Sequence, residues 1–503
     1  MKKNLILSLA LISCLLGNAQ EKNSLLDASF WKTKPDLTAI KAEIAKGNDP
    51  SQSTDRSFDP VVMAILNDAP QSTIQFLVEQ SGNSVQKPTH DNRIYLHWAA
   101  GKGDIETIKY LIDKGSDVNL EDSHSSFPIT AAASSGVQNT AVYDAFFKAG
   151  INPTQKYQDG ANLLLLSIAS DKNLDLATYF ATKGMSLKDV DANGSTAFDY
   201  VAKSGNISLL KTLLSKGVKP TDNALLFAAQ GSRRESNTIS VYQYLINEVK
   251  LNPRVQNKEG ETALHLIANK ADQNEIITYL IANGAASNAV DKEGNTPLMI
   301  AATSRDIAAL ELLLPLAKDK NAENSKGQTA LSSAVVSGTP EAVALLLENG
   351  ANVAILDKEG NNLGYYMIQS YRSQAGMGRG EAGSKPKENP FDTKMKLLQN
   401  KGLDLASSQN DGNTLYHLAV IKNDLSLLKK LAPLQIDVNA KNKDGLTALH
   451  KIAMVSQDDN LLKYFLSIGA KKEISTDFDE TPYDLAKENE TLSKNNISVE
   501  FLK

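Results

Sequence analysis

Six histidines, one cysteine and two short loops are the places in these 503 residues where residue type and spacing suggest chemistry. Histidines can act as bases or metal ligands when they converge. His97, His265, His417 and His450 instead fall at one recurring position, three residues after a helix start, which assigns them to capping. His90 and His124 lie near loop tips, where solvation or partner contact suits them better than metal ligation. No H-E-x-x-H, G-x-S-x-G or cysteine pair occurs, so no nucleophile is supplied with a base.

The two loops fail on their details. Gly378-Arg379-Gly380-Glu381-Ala382-Gly383-Ser384-Lys385 has the look of a phosphate loop, but the order Gly-Ser-Lys is inverted and Pro386 stands where a helix must begin. Asp189-Val190-Asp191-Ala192-Asn193-Gly194 matches half a calcium loop, yet position twelve is Tyr200 and not a bidentate Glu. No cofactor or metal is expected, and the chain reads as no enzyme.

The elements around these residues follow a ladder. Gly160, Gly194, Gly260, Gly294, Gly327, Gly360, Gly412 and Gly445 are spaced by 33 or 34 residues, apart from one double step of 66 and one stretched step of 52. A second set, Gly115, Gly150, Gly184, Gly217, Gly284, Gly350, Gly402 and Gly469, shares that period and stretches at the same place. Text repeats between the rungs: Glu261-Thr262-Ala263-Leu264-His265, Asn295-Thr296-Pro297-Leu298-Met299, Gln328-Thr329-Ala330-Leu331-Ser332 and Leu446-Thr447-Ala448-Leu449-His450. Thr262, Thr296, Thr329 and Thr447 stand where a side-chain oxygen can cap a helix, and His265 and His450 reach back to complete the cap. Pro297 and Pro482 suit the first helical residue. A second segment with Leu-Leu pairs stops at a glycine, and a polar turn such as Lys258-Glu259-Gly260 leads to the next copy.

A 33-residue period carrying G-x-T-P-L-H-x-A-A and then Leu-Leu ending in Gly-Ala resembles the ankyrin repeat. The best copies are 89–121, 256–289, 290–322, 323–355 and 441–473. The expectation is an all-α ankyrin-repeat solenoid of about 12–14 helix-turn-helix units with hairpin fingers, one continuous array and a monomer. Residues 20–88 form degenerate N-terminal repeats or a cap, 89–473 the array with an insertion at about 373–391, and 474–503 a capping repeat. The insertion falls in the turn between two helices of one unit, and a smaller extension, Gly231 to Glu235, occupies the same turn elsewhere. Such a loop either contacts a partner or is simply tolerated.

Lys2 and Lys3, the apolar run Leu5 to Leu16 and the small residues up to Ala19 read as a signal peptide over 1–19, with export to a periplasm expected. Two alternatives stay open: lipid anchoring through Cys14, in Leu11-Ile12-Ser13-Cys14, and secretion. Cleavage after Ala19 takes net charge from −5 to −7, and a mildly acidic surface speaks against nucleic acid. No later stretch is long and apolar enough to span a membrane.

The resemblance implies a non-catalytic scaffold that binds a protein through finger tips and the concave face of first helices, and the expected signal peptide assigns it to the bacterial cell envelope. The tips map to Lys258, Glu259, Lys292, Glu293, Lys358, Glu359, Lys443 and Asp444. Concave candidates are Tyr157, Tyr365, Tyr366 and Tyr416, read as exposed aromatic hot spots, with packing between units as the competing reading. Two alternatives stay open: an accessory subunit supporting an exported enzyme, for which the resemblance points to peroxide defence, or a secreted effector binding a foreign protein.

Overall fold

The computed structural model describes residues 23–231, 236–373 and 389–503. The expected signal peptide with Cys14, the stretch 378–385, most of the insertion and residues 232–235 lie outside them. Among the described residues there are 28 α-helices and no strand; the one extended pairing is an isolated bridge between Val190 and Thr196. The helices read as fourteen consecutive pairs. They group into two compact units, residues 1–224 and 225–503.

Within each unit the first helix of a pair packs on the first helix of the next, and second helices do the same. Tyr95–Lys102 packs on Pro128–Ser134, and Ile105–Asp113 on Thr140–Lys148. In the second unit Ala330–Val336 packs on Leu363–Ser370, and Pro340–Glu348 on Pro390–Asn400. The reason is written along each helix. Ala263, Leu264 and Ile267 are fully buried in the helix Ala263–Ile267, and Ile276, Ile277 and Leu280 fill its partner Asn274–Ala282. A lone pair of such short helices leaves apolar flanks in water, and the neighbouring pair removes them.

The helix starts are fixed by reciprocal caps. The backbone N–H of Thr262 donates to Nδ1 of His265 at 3.1 Å, and Thr414 to His417 and Thr447 to His450 do likewise at 3.1 Å. Ile94 donates to His97 at 3.3 Å, although isoleucine offers no capping oxygen in return. An Nδ1 that accepts leaves the proton on Nε2. Nε2 then bonds the carbonyl just before the next repeat's cap: Ser126 for His97, Asn295 for His265 and Leu446 for His417, each at 3.0 Å. Each of these histidines therefore starts its own helix and ties it to the following repeat. At the array's end His450 Nε2 finds no well-placed acceptor among the described residues. Thr329 uses Ser332 instead, its N–H donating to Ser332 Oγ at 2.8 Å, and Thr296 accepts from Met299 N at 3.3 Å.

The stretched step of the ladder is an interruption between two well-anchored helices. The helix Leu363–Ser370 ends before Tyr371, whose hydroxyl donates to Asp424 Oδ2 at 3.0 Å and whose ring meets Phe391 edge-on at 5.4 Å. The chain resumes at Pro390–Asn400, where Lys394 is buried. Its Nζ donates to the carbonyls of Ala334 at 3.1 Å and Val335 at 2.8 Å, capping the end of Ala330–Val336 in the preceding repeat. Burial pushes the Lys394 pKa down to about 8. In the last repeat, Asn489 does a similar job, bonding the carbonyls of Ala453 and Ser456 at 3.0 Å each.

Candidate partner-binding face

Between second and first helices the chain makes a short polar turn, and its first residue organises it. Asp357 Oδ1 accepts from the N–H groups of Glu359 at 2.9 Å and Asn361 at 2.8 Å. Asn257, Asn324 and Asn442 do the same two and four residues onward. These Asx turns replace the backbone bonds a tight loop otherwise leaves to water. Sequence reasoning missed these side chains as structural parts. Their signal was an Asn or Asp three residues ahead of six of the eight ladder glycines, Tyr157 and Gln409 standing ahead of the other two.

Successive turns are joined to one another through backbone. Lys292 N–H donates to Glu259 O at 2.8 Å, Ser325 to Glu293 at 2.6 Å and Lys358 to Lys326 at 3.0 Å. Asn410 to Gly360 at 3.1 Å and Lys443 to Asp411 at 2.9 Å continue the row. Six fingers from residue 257 to residue 446 are thus held in register. Glycine is required on two counts. Gly327 has φ +76°, and a Cβ there would stand 2.7 Å from the Lys358 nitrogen of the next finger. Replacing Gly327 with Ala is expected to lower unfolding stability by about 2–4 kcal/mol. A urea melt checks this, and a loss below about 0.5 kcal/mol would contradict the close approach.

The row presents charge. Lys258, Glu259, Lys292, Glu293, Lys358, Glu359, Lys443 and Asp444 are all exposed. Lys292 stands 3.8 Å from Glu259, and such an exposed pair contributes little to stability. Glu359 Oε2 accepts from Asn361 Nδ2 at 3.4 Å and Asp444 Oδ2 from Asn442 Nδ2 at 3.3 Å, each within its own finger.

The tyrosines require a correction. Tyr157, Tyr366 and Tyr416 are buried, and Tyr365 is half-buried against Tyr366 with rings 5.3 Å apart. Tyr366 donates to Asp357 Oδ2 at 2.6 Å, so it braces a finger from the helix side. Burial opposes ionisation of Asp357, but the bonds from Tyr366 and from the Asn361 and Glu359 N–H groups outweigh it and hold its pKa below the ordinary range. Tyr416 packs edge-on against Phe465 at 5.2 Å, and burial pushes its pKa up to about 12. Tyr157, Tyr366 and Tyr416 are thus packed into the array and are not open contact surface, while Tyr365 keeps part of its ring exposed.

The histidines left over, His90 and His124, flank Asp91, with Nε2 atoms 3.6 and 3.5 Å from its two oxygens. No group of three metal-ligating residues stands in metal-binding geometry among the described residues. Asp191 is committed to its own turn, accepting from Asn193 and Ser195 N–H and from the Tyr200 hydroxyl at 3.0 Å.

Comparison with known proteins agrees with this geometry. The family model described as "Ankyrin repeats (3 copies)" matches residues 32–122 and 225–324, and "Ankyrin repeat" matches 326–358. The chain is 29% identical over 222 residues to the B-cell lymphoma 3 protein homolog of Mus musculus, covering 43% of this chain and 45% of that one. It is 28% identical over 211 residues to the probable 26S proteasome regulatory subunit p28 of Saccharomyces cerevisiae, 41% of this chain and 78% of that one. It is 24% identical over 370 residues to the NAD-dependent deacetylase sir2B of Dictyostelium discoideum, 69% of this chain and 44% of that one. The chain spans less than half the length of the first and third of these relatives. Capped helix pairs at a 33-residue period, fingers bonded in a row and matching repeat models together identify this as an ankyrin-repeat protein.

Proposed function

We propose that the chain is a non-catalytic scaffold, exported to a bacterial cell envelope, that holds a protein partner through the finger tips between residues 258 and 444. The observation that carries this reading is the row itself. Pairs of opposite charge occupy one position in four of the six fingers, with Ser325-Lys326 and Asn410-Asp411 in the other two, exposed, on fingers bonded to each other through backbone. Fixed side-chain placement lowers the ordering cost of association, and charge pattern sets register and partner choice more than raw affinity.

Lys258→Glu, Lys292→Glu, Lys358→Glu and Lys443→Glu, combined in one variant, test the reading. Each exposed reversal is expected to change folding stability by no more than about 0.5 kcal/mol. Recovery of the crosslinked partner from the producing cell's envelope is expected to drop at least tenfold. Equal recovery by the reversed and native chains would remove the tips from recognition. For export, the mature N-terminus is expected at Gln20; a chain that keeps Met1 in the cell would overturn that part.

A further inference from the structure

Nine large apolar side chains are exposed among the described residues, and three of them stand together. Ile421 is 71% exposed, Met454 43% and Val455 51%. Ile421 follows the cap Thr414 by seven residues and Met454 follows Thr447 by seven, so they hold one position in adjacent repeats. The turn Val420–Lys422 packs on the helix Ala448–Val455, which makes the two side chains neighbours. Half-buried Leu418, one helical turn earlier, extends the surface. On either side the same position carries exposed Gln369 and Glu488, so the apolar patch is bounded.

Lys422 and Lys451 border it, and Glu488 adds one carboxylate on the far side. Lys451 bonds Asn413 Oδ1 at 2.8 Å, and neither it nor Lys422 is paired with a carboxylate among the described residues. Packed helices lie about 8–10 Å apart. Residues i and i+7 of a helix are separated by about 10.5 Å. A helix laid across these repeats can therefore set apolar anchors on Ile421 and Met454 together, with an intermediate residue over Leu418 and Val455. Carboxylates on its flanks would meet Lys422 and Lys451.

We propose that this face seats an acidic amphipathic helix of a partner protein. The proposal rests on the scaffold reading and names the chemistry of one segment the scaffold would hold. A fluorescein-labelled synthetic helix with Leu at i, i+3, i+4 and i+7 and Glu on its flanks is the probe, titrated with the full chain by anisotropy. Saturable binding is expected, weakened at least tenfold by Ile421→Asp, by the pair Lys422→Glu and Lys451→Glu, and by changing the peptide's Glu to Lys. Ile421 is exposed, so its replacement leaves the fold intact, which circular dichroism verifies.

No binding, or equal affinity in both variants, would overturn the proposal. So would a native dimer in sedimentation that Ile421→Asp dissolves, since the occupant would then be a second copy. Tighter binding of the Lys peptide also counts against it. Failure here is separable from failure of the scaffold reading: envelope capture that still depends on the finger tips leaves that reading standing.

Discussion

Lowering the pH from 7 to 4 is expected to unfold the protein, and the second unit should go first. His97, His265, His417 and His450 all have pKa values depressed by burial, His417 down to about 4. Each accepts a backbone N–H at Nδ1, which a protonated ring cannot do, and each stands at a helix N-terminus, where positive charge is disfavoured. The unfolded chain, with ordinary histidines near pH 6.5, binds protons before the folded chain does. Stability is therefore fully present above about 6.5 and is lost as the pH falls towards 4. Each histidine contributes a slope of up to about 1.4 kcal/mol per pH unit.

Three of the four lie in residues 225–503. In residues 1–224 His97 is opposed by Asp199, whose pKa burial raises to about 6. That carboxyl takes up its proton in the folded chain first, so it gains stability as pH falls from about 6 to about 4. Urea midpoints followed by circular dichroism at pH 7, 6, 5 and 4.5 check the slope. Replacing all four histidines with Ser, which already caps at Ser332, is expected to flatten it. A midpoint unchanged between pH 7 and 4.5 in the native chain would contradict the capping chemistry.

Reversing one buried charge should have the other large effect. Lys394→Glu would aim a carboxylate at the carbonyls of Ala334 and Val335, at the negative end of the helix Ala330–Val336. Leaving an uncompensated charge buried costs about 3–5 kcal/mol. Lys394→Met keeps the apolar stem and gives up only the cap, so about 1–2 kcal/mol is expected. Urea melts of the two variants distinguish them. If the Glu variant were as stable as the Met variant, Lys394 would not be the cap that its geometry describes.

What could be read in advance followed from how local each signal is. A Thr, a His three residues on and a Gly at a fixed remove are contained within one repeat, and 33-residue repetition multiplied them. The stretched step of the ladder marks the interruption between Leu363–Ser370 and Pro390–Asn400 for the same reason. Lys394 was not, because its partners lie about 60 residues earlier and Thr393-Lys394-Met395-Lys396 looks like a solvated face. Tyr366 and Tyr416 went astray similarly: whether a ring on a first helix points to water depends on Asp357 in the finger and Phe465 in a second helix. Ile421, Met454 and Val455 drew no notice in the sequence, because apolar residues at helical spacing do not tell a buried face from a bare one; only placement shows them exposed.

Hydrogen exchange at the finger amides probes the central claim, that charged tips are carried on a backbone-bonded row. Lys292, Ser325, Lys358, Asn410 and Lys443 have side chains in water, yet their N–H groups donate to the preceding finger. Protection of these five amides well above free-peptide rates, lost around residue 327 in the Gly327→Ala variant, is the expected result. Exchange at free-peptide rates in the native chain would mean independent loops, with no fixed row for a partner to read.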